Sequence, residues 1–336
     1  MKIKKTLILL ILGMASLVLI VGCSKSSSGE SGESNGDKSA ASDWPSKDIH
    51  INVHSGPGNL DTAIRQLSPL LSEELGVDVI VENRPGGGQS ISQTATQTAP
   101  ADGYTLQSKT SSTSFGMAQG QIPFDPEDWS MVYSLQKEPA SIAVLADSPL
   151  ESIDDFVETM KNDPGKLVVG GYGSAGFMTY VYYQLQKIAG FEGKWIPIDT
   201  TDKVAASLLG GHIDVAVMTP STALSAVQSG EVKLLGVSTE ERSENYPDIP
   251  TFKEQGYDVV EVLWRGLSVK KGTPKEIVNK LHEAIKSATQ TEEWLNFQKK
   301  RNQENDTTSP EKLDERLANE VEGRTQFLKD MGLLNN

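Results

Sequence analysis

Between residues 48 and 331, short β-branched runs alternate with amphipathic stretches, and no other feature of this chain restricts its fold so tightly. Ile49, Ile51 and Val53 alternate with polar residues as a half-buried strand does, and helical spacing follows over residues 61–75. Residues 77–81 read as a second strand, closed by Asn83-Arg84-Pro85-Gly86-Gly87-Gly88, which only a loop tolerates. Further strands are predicted at 104–108, 142–145, 167–170, 195–198, 213–217 and 234–237, with helices between most of them. Ser152 followed by Asp155 marks one helix start. Thr273, Pro274 and Glu276 spell a capping box for another. A last long helix begins at Ser309-Pro310 and carries Leu313, Leu317, Val321 and Leu328 on one face. Strands separated by helices predict an α/β architecture of mainly parallel sheets flanked on both faces.

The N-terminus points outside the cytoplasm. Lys2, Lys4 and Lys5 precede an uncharged apolar run that closes on Ile20-Val21-Gly22-Cys23, the pattern of an export signal. Its length, about 16 residues, falls short of the roughly 20 that a spanning helix needs. Cys23 is the only cysteine of the chain, and its place after a small residue resembles the lipobox of bacterial lipoproteins, which implies lipidation. Residues 1–22 are then a signal peptide. Residues 23–43, rich in Ser, Gly and Glu, form a lipid-anchored tether too polar to fold. Losing three lysines with the signal takes the formal net charge from -14 to about -17, which repels nucleic acid and anionic lipid headgroups, so neither is expected as a partner. No thiol remains for a disulfide, and His50, His54, His212 and His282 share no metal-ligand spacing, so neither metal nor cofactor is expected. About 290 residues remain, enough for one large domain or two lobes.

Two loops carry the functional signal. His54-Ser55-Gly56-Pro57-Gly58-Asn59-Leu60-Asp61 joins the first strand to the first helix, and residues 170–176 repeat that strand, glycine turn, helix pattern. Such a turn leaves the first helical amides pointing outward at the positive end of the helix dipole, which makes an anion site without a basic side chain. Each loop can equally be an ordinary turn. Gly171, Gly173 and Gly176 also spell the dinucleotide fingerprint, with Asp199 some 23 residues beyond Gly176, at the end of the next strand. The unit begins mid-chain without a catalytic constellation, and an exported domain has no reliable supply of the cofactor. The same loop narrowly misses the nucleophile elbow, with Tyr172 in place of its first glycine and no supporting base for Ser174.

Trp44-Pro45-Ser46-Lys47-Asp48-Ile49, Val81-Glu82-Asn83-Arg84-Pro85-Gly86-Gly87-Gly88 and Ala101-Asp102-Gly103-Tyr104-Thr105-Leu106 open a longer pattern. It continues through Ile122-Pro123-Phe124-Asp125-Pro126, Asn162-Asp163-Pro164-Gly165-Lys166-Leu167, Leu208-Leu209-Gly210-Gly211-His212-Ile213-Asp214, Tyr246-Pro247-Asp248-Ile249-Pro250-Thr251 and Lys271-Gly272-Thr273-Pro274. In order and spacing these blocks resemble the substrate-binding proteins of tripartite tricarboxylate transporters, the Bug family. The resemblance implies a two-lobed periplasmic-binding fold of type II, a Venus flytrap, that performs no chemistry. Lobe one would comprise residues 44–146 and 265–336, and lobe two residues 147–264, with crossings near Ala146 and Arg265, where residues 142–145 and 263–269 read as linking strands. It also implies a small carboxylate (mono-, di- or tricarboxylate) held between the glycine loops by Gly58, Asn59 and Asp61 on one side and Gly173, Ser174, Ala175 and Gly176 on the other. The expected protein is a monomer on the outer face of the cell membrane, delivering its ligand to permease subunits. A receptor that presents its ligand to a sensor kinase would share this fold, and an exported hydrolase is the enzymatic alternative. Three departures bear on the ligand: Pro57 and Asn59 bulk the first loop, Met218 stands where the family often has an aspartate, and Ile198-Asp199-Thr200 replaces a frequent Tyr-Lys-Gly.

Other residues carry two readings each. Asp61 serves as an N-cap or orients ligand. Arg84 ties its loop to a neighbouring carbonyl or carboxylate. Arg265 offers a planar two-donor fork for a second carboxylate, or an interlobe salt bridge. Thr110 and Ser111 lie at the carboxyl edge of a strand, where open α/β sheets bind ligands. Trp129, Trp195, Trp294 and the Phe297 region are expected in the core.

Overall fold

The computed structural model describes residues 43–306 and 308–334, so the expected signal peptide, Cys23 and most of the expected tether lie outside the described residues. The chain runs β1 (Ile49–Val53), α1 (Asn59–Leu75), β2 (Val79–Asn83), α2 (Ser90–Thr98), β3 (Thr105–Thr110), α3 (Ser111–Ala118) and β4 (Trp129–Pro139). It then builds β5 (Ser141–Leu145), α4 (Ile153–Asn162), β6 (Val169–Tyr172), α5 (Phe177–Ala189), β7 (Trp195–Ile198), α6 (Thr201–Leu209), β8 (Val215–Met218), α7 (Leu224–Gln228) and β9 (Val232–Val237). It returns through β10 (Val262–Lys270) to α8 (Lys275–Ala288), α9 (Glu292–Lys300) and α10 (Pro310–Asp330).

Two five-stranded sheets result, ordered β2-β1-β3-β10-β4 and β7-β6-β8-β5-β9. In the first, β1 pairs parallel with β2 and β3, while β10 is antiparallel to β3 and β4. The second repeats this plan with β5 as the reversed strand. Every strand but one in each sheet therefore runs the same way, as the alternation predicts. The reversed strand is in each case the one that arrives from the other sheet.

That topology moves the crossings. Residues 142–145, expected to link the lobes from the first side, belong to the second sheet, and Arg265 already lies inside the first. The chain changes sheet at Ala140 and again over residues 238–261, because the linking segments are themselves recruited as strands. Ser238 ties the two passages together: its Oγ receives the Ala140 amide at 2.9 Å and donates to the Glu261 carbonyl at 2.6 Å.

Each sheet is covered on both faces. Leu60, Ala63, Ile64, Leu67 and Leu71 of α1 recur at helical spacing and bury against β1 and β3 with α8 and Trp294. On the other face Trp129, Met131 and Trp264 meet Leu313 and Leu317 of α10. The second lobe's core sets β5, β6 and β8 against α4 and α5, and it takes in Phe115 of α3 and Phe327 of α10. Phe327 thus packs 5.3 Å from Tyr180 of the second lobe and 6.3 Å from Phe115 of the first (ring centroids). Trp195 is only partly buried.

Two helix starts differ from expectation. α1 begins at Asn59, two residues early, since the Thr62 amide already bonds the Gly58 carbonyl at 2.8 Å. Asp61 is therefore not its cap. Pro274 occupies the cap position of α8, because the Thr273 hydroxyl donates to the Lys270 carbonyl at 2.8 Å in the turn before it.

Candidate functional site

A cavity of 590 Å³ lies between the two sheets, at the carboxyl ends of β1, β3, β6 and β8. This is where an open α/β sheet presents loops and helix starts to a ligand. Asn59, Thr110, Ser111, Gly173, Ser174, Ala175, Gly176 and Arg265 line it; Gly58 and Asp61 do not.

Its two facing walls contain the starts of α1 and α5. Neither Gly58 nor Gly176 offers a capping side chain, so the first amides of both helices have no partner within their own helix. Gly173 is an exception within its loop. Its amide is spent on the Ile198 carbonyl at 3.0 Å, and its own carbonyl accepts from Trp195 Nε1 at 2.7 Å. The wall available to an anion is thus the run from Ser174 into the first turn of α5, where Phe177 and Met178 also face the cavity. Two of the three fingerprint glycines have a structural reason, and Gly176 has none. A side chain on Gly171 would collide with the Trp195 ring, and Gly173 sits at φ 77°, the left-handed region. Asp199 pairs with Lys203 at 3.3 Å on the surface and does not reach the cavity.

Asp61 works from behind. Its carboxylate receives Arg65 Nε at 3.0 Å and Asn83 Nδ2 at 2.8 Å, and Asn83 also donates to the Ser55 carbonyl at 2.9 Å. This clamps the first loop to the end of β2. Asn59 accepts from Arg301 at 2.5 Å. Arg84 bonds Asn52 and Glu82 away from the cavity.

The hydroxyls divide similarly. Thr110 caps α3 and accepts the Ser112 amide at 3.2 Å. Ser111 Oγ accepts from the Trp264 amide at 2.9 Å and donates to the Val262 carbonyl at 3.1 Å, so it fastens α3 to the returning strand. Ser112, Gln89, Thr219, Ser221 and Thr222 line the cavity and were not foreseen. The rule that singled out Thr110 also reaches Thr219, just past the end of β8.

Charge in the cavity is sparse. Arg265 is buried beside Glu138 at 3.8 Å, and both belong to the first sheet, so the pair is not a bridge between lobes. Burial pulls the Arg265 pKa down and the Glu138 charge opposes this. His54 is held neutral, its pKa lowered to about 4 by burial, with the Ser108 hydrogen bond opposing and Lys109 assisting. Nδ1 lies 3.1 Å from the Ser108 carbonyl and 3.0 Å from the Ser108 hydroxyl. Lys109 is no ligand cation: it stays outside the cavity, over the Trp129 ring and 2.5 Å from Gln93 Oε1, with burial holding its pKa well below the usual lysine range.

A model of the family described as "Tripartite tricarboxylate transporter family receptor" (TctC) matches residues 63–333. A UPF0065 protein from the gbd 5′ region of Cupriavidus necator is 33% identical over 253 residues, covering 74% of this chain and 76% of that protein. The crystal structure of a TctC solute-binding protein from Polaromonas, without ligand, matches with a TM-score of 0.80 at 25% identity, over 85% of this chain and 99% of that one. MatC from Rhodopseudomonas palustris, solved with bound malate, shares the fold at a TM-score of 0.65 and 22% identity, over 84% and 99% of the two chains. With the family's pattern extending over most of its length and its cleft built at the expected sheet edges, this chain belongs to the TctC receptor family of solute-binding proteins.

Proposed function

We propose that this protein is an extracytoplasmic receptor that captures a small organic carboxylate in its interlobe cleft and hands it unchanged to the permease subunits of a tripartite tricarboxylate transporter. The observation that carries this reading is the pair of uncapped helix starts, α1 from one lobe and α5 from the other, facing one 590 Å³ cavity. Two positive dipole ends attract an anion in a protein whose net charge is -14, because unpaired amides act at contact distance while the diffuse charge is screened. The Ser174–Met178 amides supply one wall, and Asn59, Thr110 and Ser112 polar groups the other. Gly58 and Asp61 shape the first loop without touching ligand. A carboxylate that contacts both walls stabilises the closed arrangement of the lobes, a hinge motion about Ala140 and Ser238. The malate held by MatC is one ligand of this chemical class.

The family is one of receptors, so Ser174 is read here as an amide donor rather than a nucleophile. Anchorage belongs to the same proposal. Cys23 carries the lipid, and the Ser/Gly/Glu-rich segment after it holds the two lobes off the membrane. Among the described residues no helix is long and apolar enough to cross a membrane.

Calorimetric titration of the mature domain with mono-, di- and tricarboxylates tests the capture. Ser174→Pro and Ala175→Pro each delete one amide of the α5 wall. Losing a charge-assisted hydrogen bond costs about 1.5–3 kcal/mol, roughly 10- to 150-fold in affinity. Unchanged affinity in a variant with native circular dichroism would remove this loop from the site.

A further inference from the structure

Two buried polar atoms in the cleft lack a hydrogen-bond partner among the described residues, and they are complementary. Arg265 Nη1 donates to nothing and Glu138 Oε1 accepts nothing, although their side chains are only 9% and 4% exposed. Both residues line the cavity. Glu138 stands at the end of β4, just before the chain crosses, and a bulge interrupts the β10–β4 pairing between Arg265 and Gly266. Bulges of this kind re-aim a side chain beside a binding site. A buried donor and acceptor left unmet in this way cost free energy until a bound group satisfies them.

The chemistry of that group follows from the charges. A second carboxylate on the ligand would meet Arg265 but would also lie against Glu138. An ammonium would meet Glu138 and be repelled by Arg265. Either ion would surrender its hydration to a pair whose charges cancel. Arg301 is close enough for its charge to act on Arg265, but it bonds the neutral Asn59 side chain at 2.5 Å and does not line the cavity, so no ligand group in the cleft meets it directly. A carboxamide is neutral, loses less on leaving water, and supplies both halves: its carbonyl accepts from Arg265 Nη1 while its N–H donates to Glu138 Oε1.

We propose that Glu138 and Arg265 form the specificity element of the cleft and select a ligand that carries a neutral carboxamide at the end opposite its carboxylate, in preference to the matching dicarboxylate. This rests on the carboxylate capture proposed above and narrows it.

The test is calorimetry on the mature domain with matched diacids and half-amides of three to six carbons, succinate and succinamate among them, alongside the corresponding monoacids. The best half-amide is expected to bind roughly tenfold or more tighter than its diacid. Glu138→Gln leaves Arg265 as an uncompensated cation and should reverse the ranking in favour of the diacid. A diacid that binds wild type as tightly as its half-amide, or a ranking unaltered by Glu138→Gln, overturns the proposal. If that variant does not fold, the double substitution Glu138→Leu with Arg265→Met removes both charges together, and discrimination should collapse to about twofold or less; a preference that persists there also overturns it. Binding of acids without amide preference defeats the specificity element alone. No binding by any acid, monoacids included, defeats the capture reading and this proposal with it.

Discussion

His54 shows how far a single residue's role depends on the fold around it. In the sequence it is one of four scattered histidines and opens the first glycine loop, with nothing that marks it as a buried group. Folded, it borders the cleft with its pKa lowered from 6.5 to about 4, chiefly by burial. Above pH 6.5 folded and unfolded chains are both neutral here, and the residue contributes no pH dependence. Below that value the unfolded chain gains a proton that the folded one refuses until about pH 4, so stability falls by about 3 kcal/mol across this window. His54→Gln should remove that share of the acid destabilisation, read as the difference between urea unfolding at pH 7 and at pH 4.5. Parallel losses in wild type and variant would show that the ring titrates freely. Arg265 was legible as a charge near the cleft, but Glu138 was not. A lone glutamate in an unassigned stretch carries no signal until pairing of β4 with β10 brings it 3.8 Å from the guanidinium.

At the scale of elements, the strand the sequence concealed is β4. Ser134, Gln136 and Glu138 alternate along it and read as a solvated face, yet all three are buried. Gln136 Nε2 donates to Gln298 at 2.6 Å and to Gln303 at 2.7 Å, which come from α9 and the loop after it, so a distant segment covers this polar row and buries it. Strands whose outer face meets water, or whose two faces are plainly apolar, were readable; this one was not. The helix α10 was visible from its leucine spacing, but its second role was hidden. Arg324 lies 3.8 Å from the Tyr180 ring centroid and forks onto Glu261 at 3.1 and 2.8 Å, and Phe327 closes the same junction. Phe327→Ala is expected to cost about 3–5 kcal/mol in urea unfolding. A loss below about 1 kcal/mol, the scale of a surface substitution, would mean that α10 does not brace the lobes. Glu320, buried beside Arg324, has its pKa raised to about 7, with burial the largest cause. From pH 4.5 upward the unfolded chain ionises first, and the resulting loss of stability grows until pH passes about 7. Glu320→Gln should therefore stabilise the protein more at pH 8 than at pH 5. The opposite ordering of melting temperatures would show that Arg324 dominates its titration.

For the whole molecule, the α/β class was legible because strand and helix signals alternate, and the glycine turns mark sheet edges; the two-lobed plan came only with the family resemblance, and the crossing points depend on which sheet recruits each linking strand. Ser238 and α10 then couple the lobes through contacts that no local pattern announces. Outside the folded lobes, Cys23→Ser should release the domain from the membrane fraction or leave it unprocessed; a processed variant that still sediments with membranes would contradict lipid anchorage. The position of a bound carboxylate tests capture in the cleft most directly. A crystal structure of the mature domain with the tightest acid from the calorimetric panel should place one carboxylate within about 3 Å of the unpaired amides between Ser174 and Met178, with the far end of the ligand against Glu138 and Arg265. A ligand bound outside the cleft, or a carboxylate held without those amides, would contradict it.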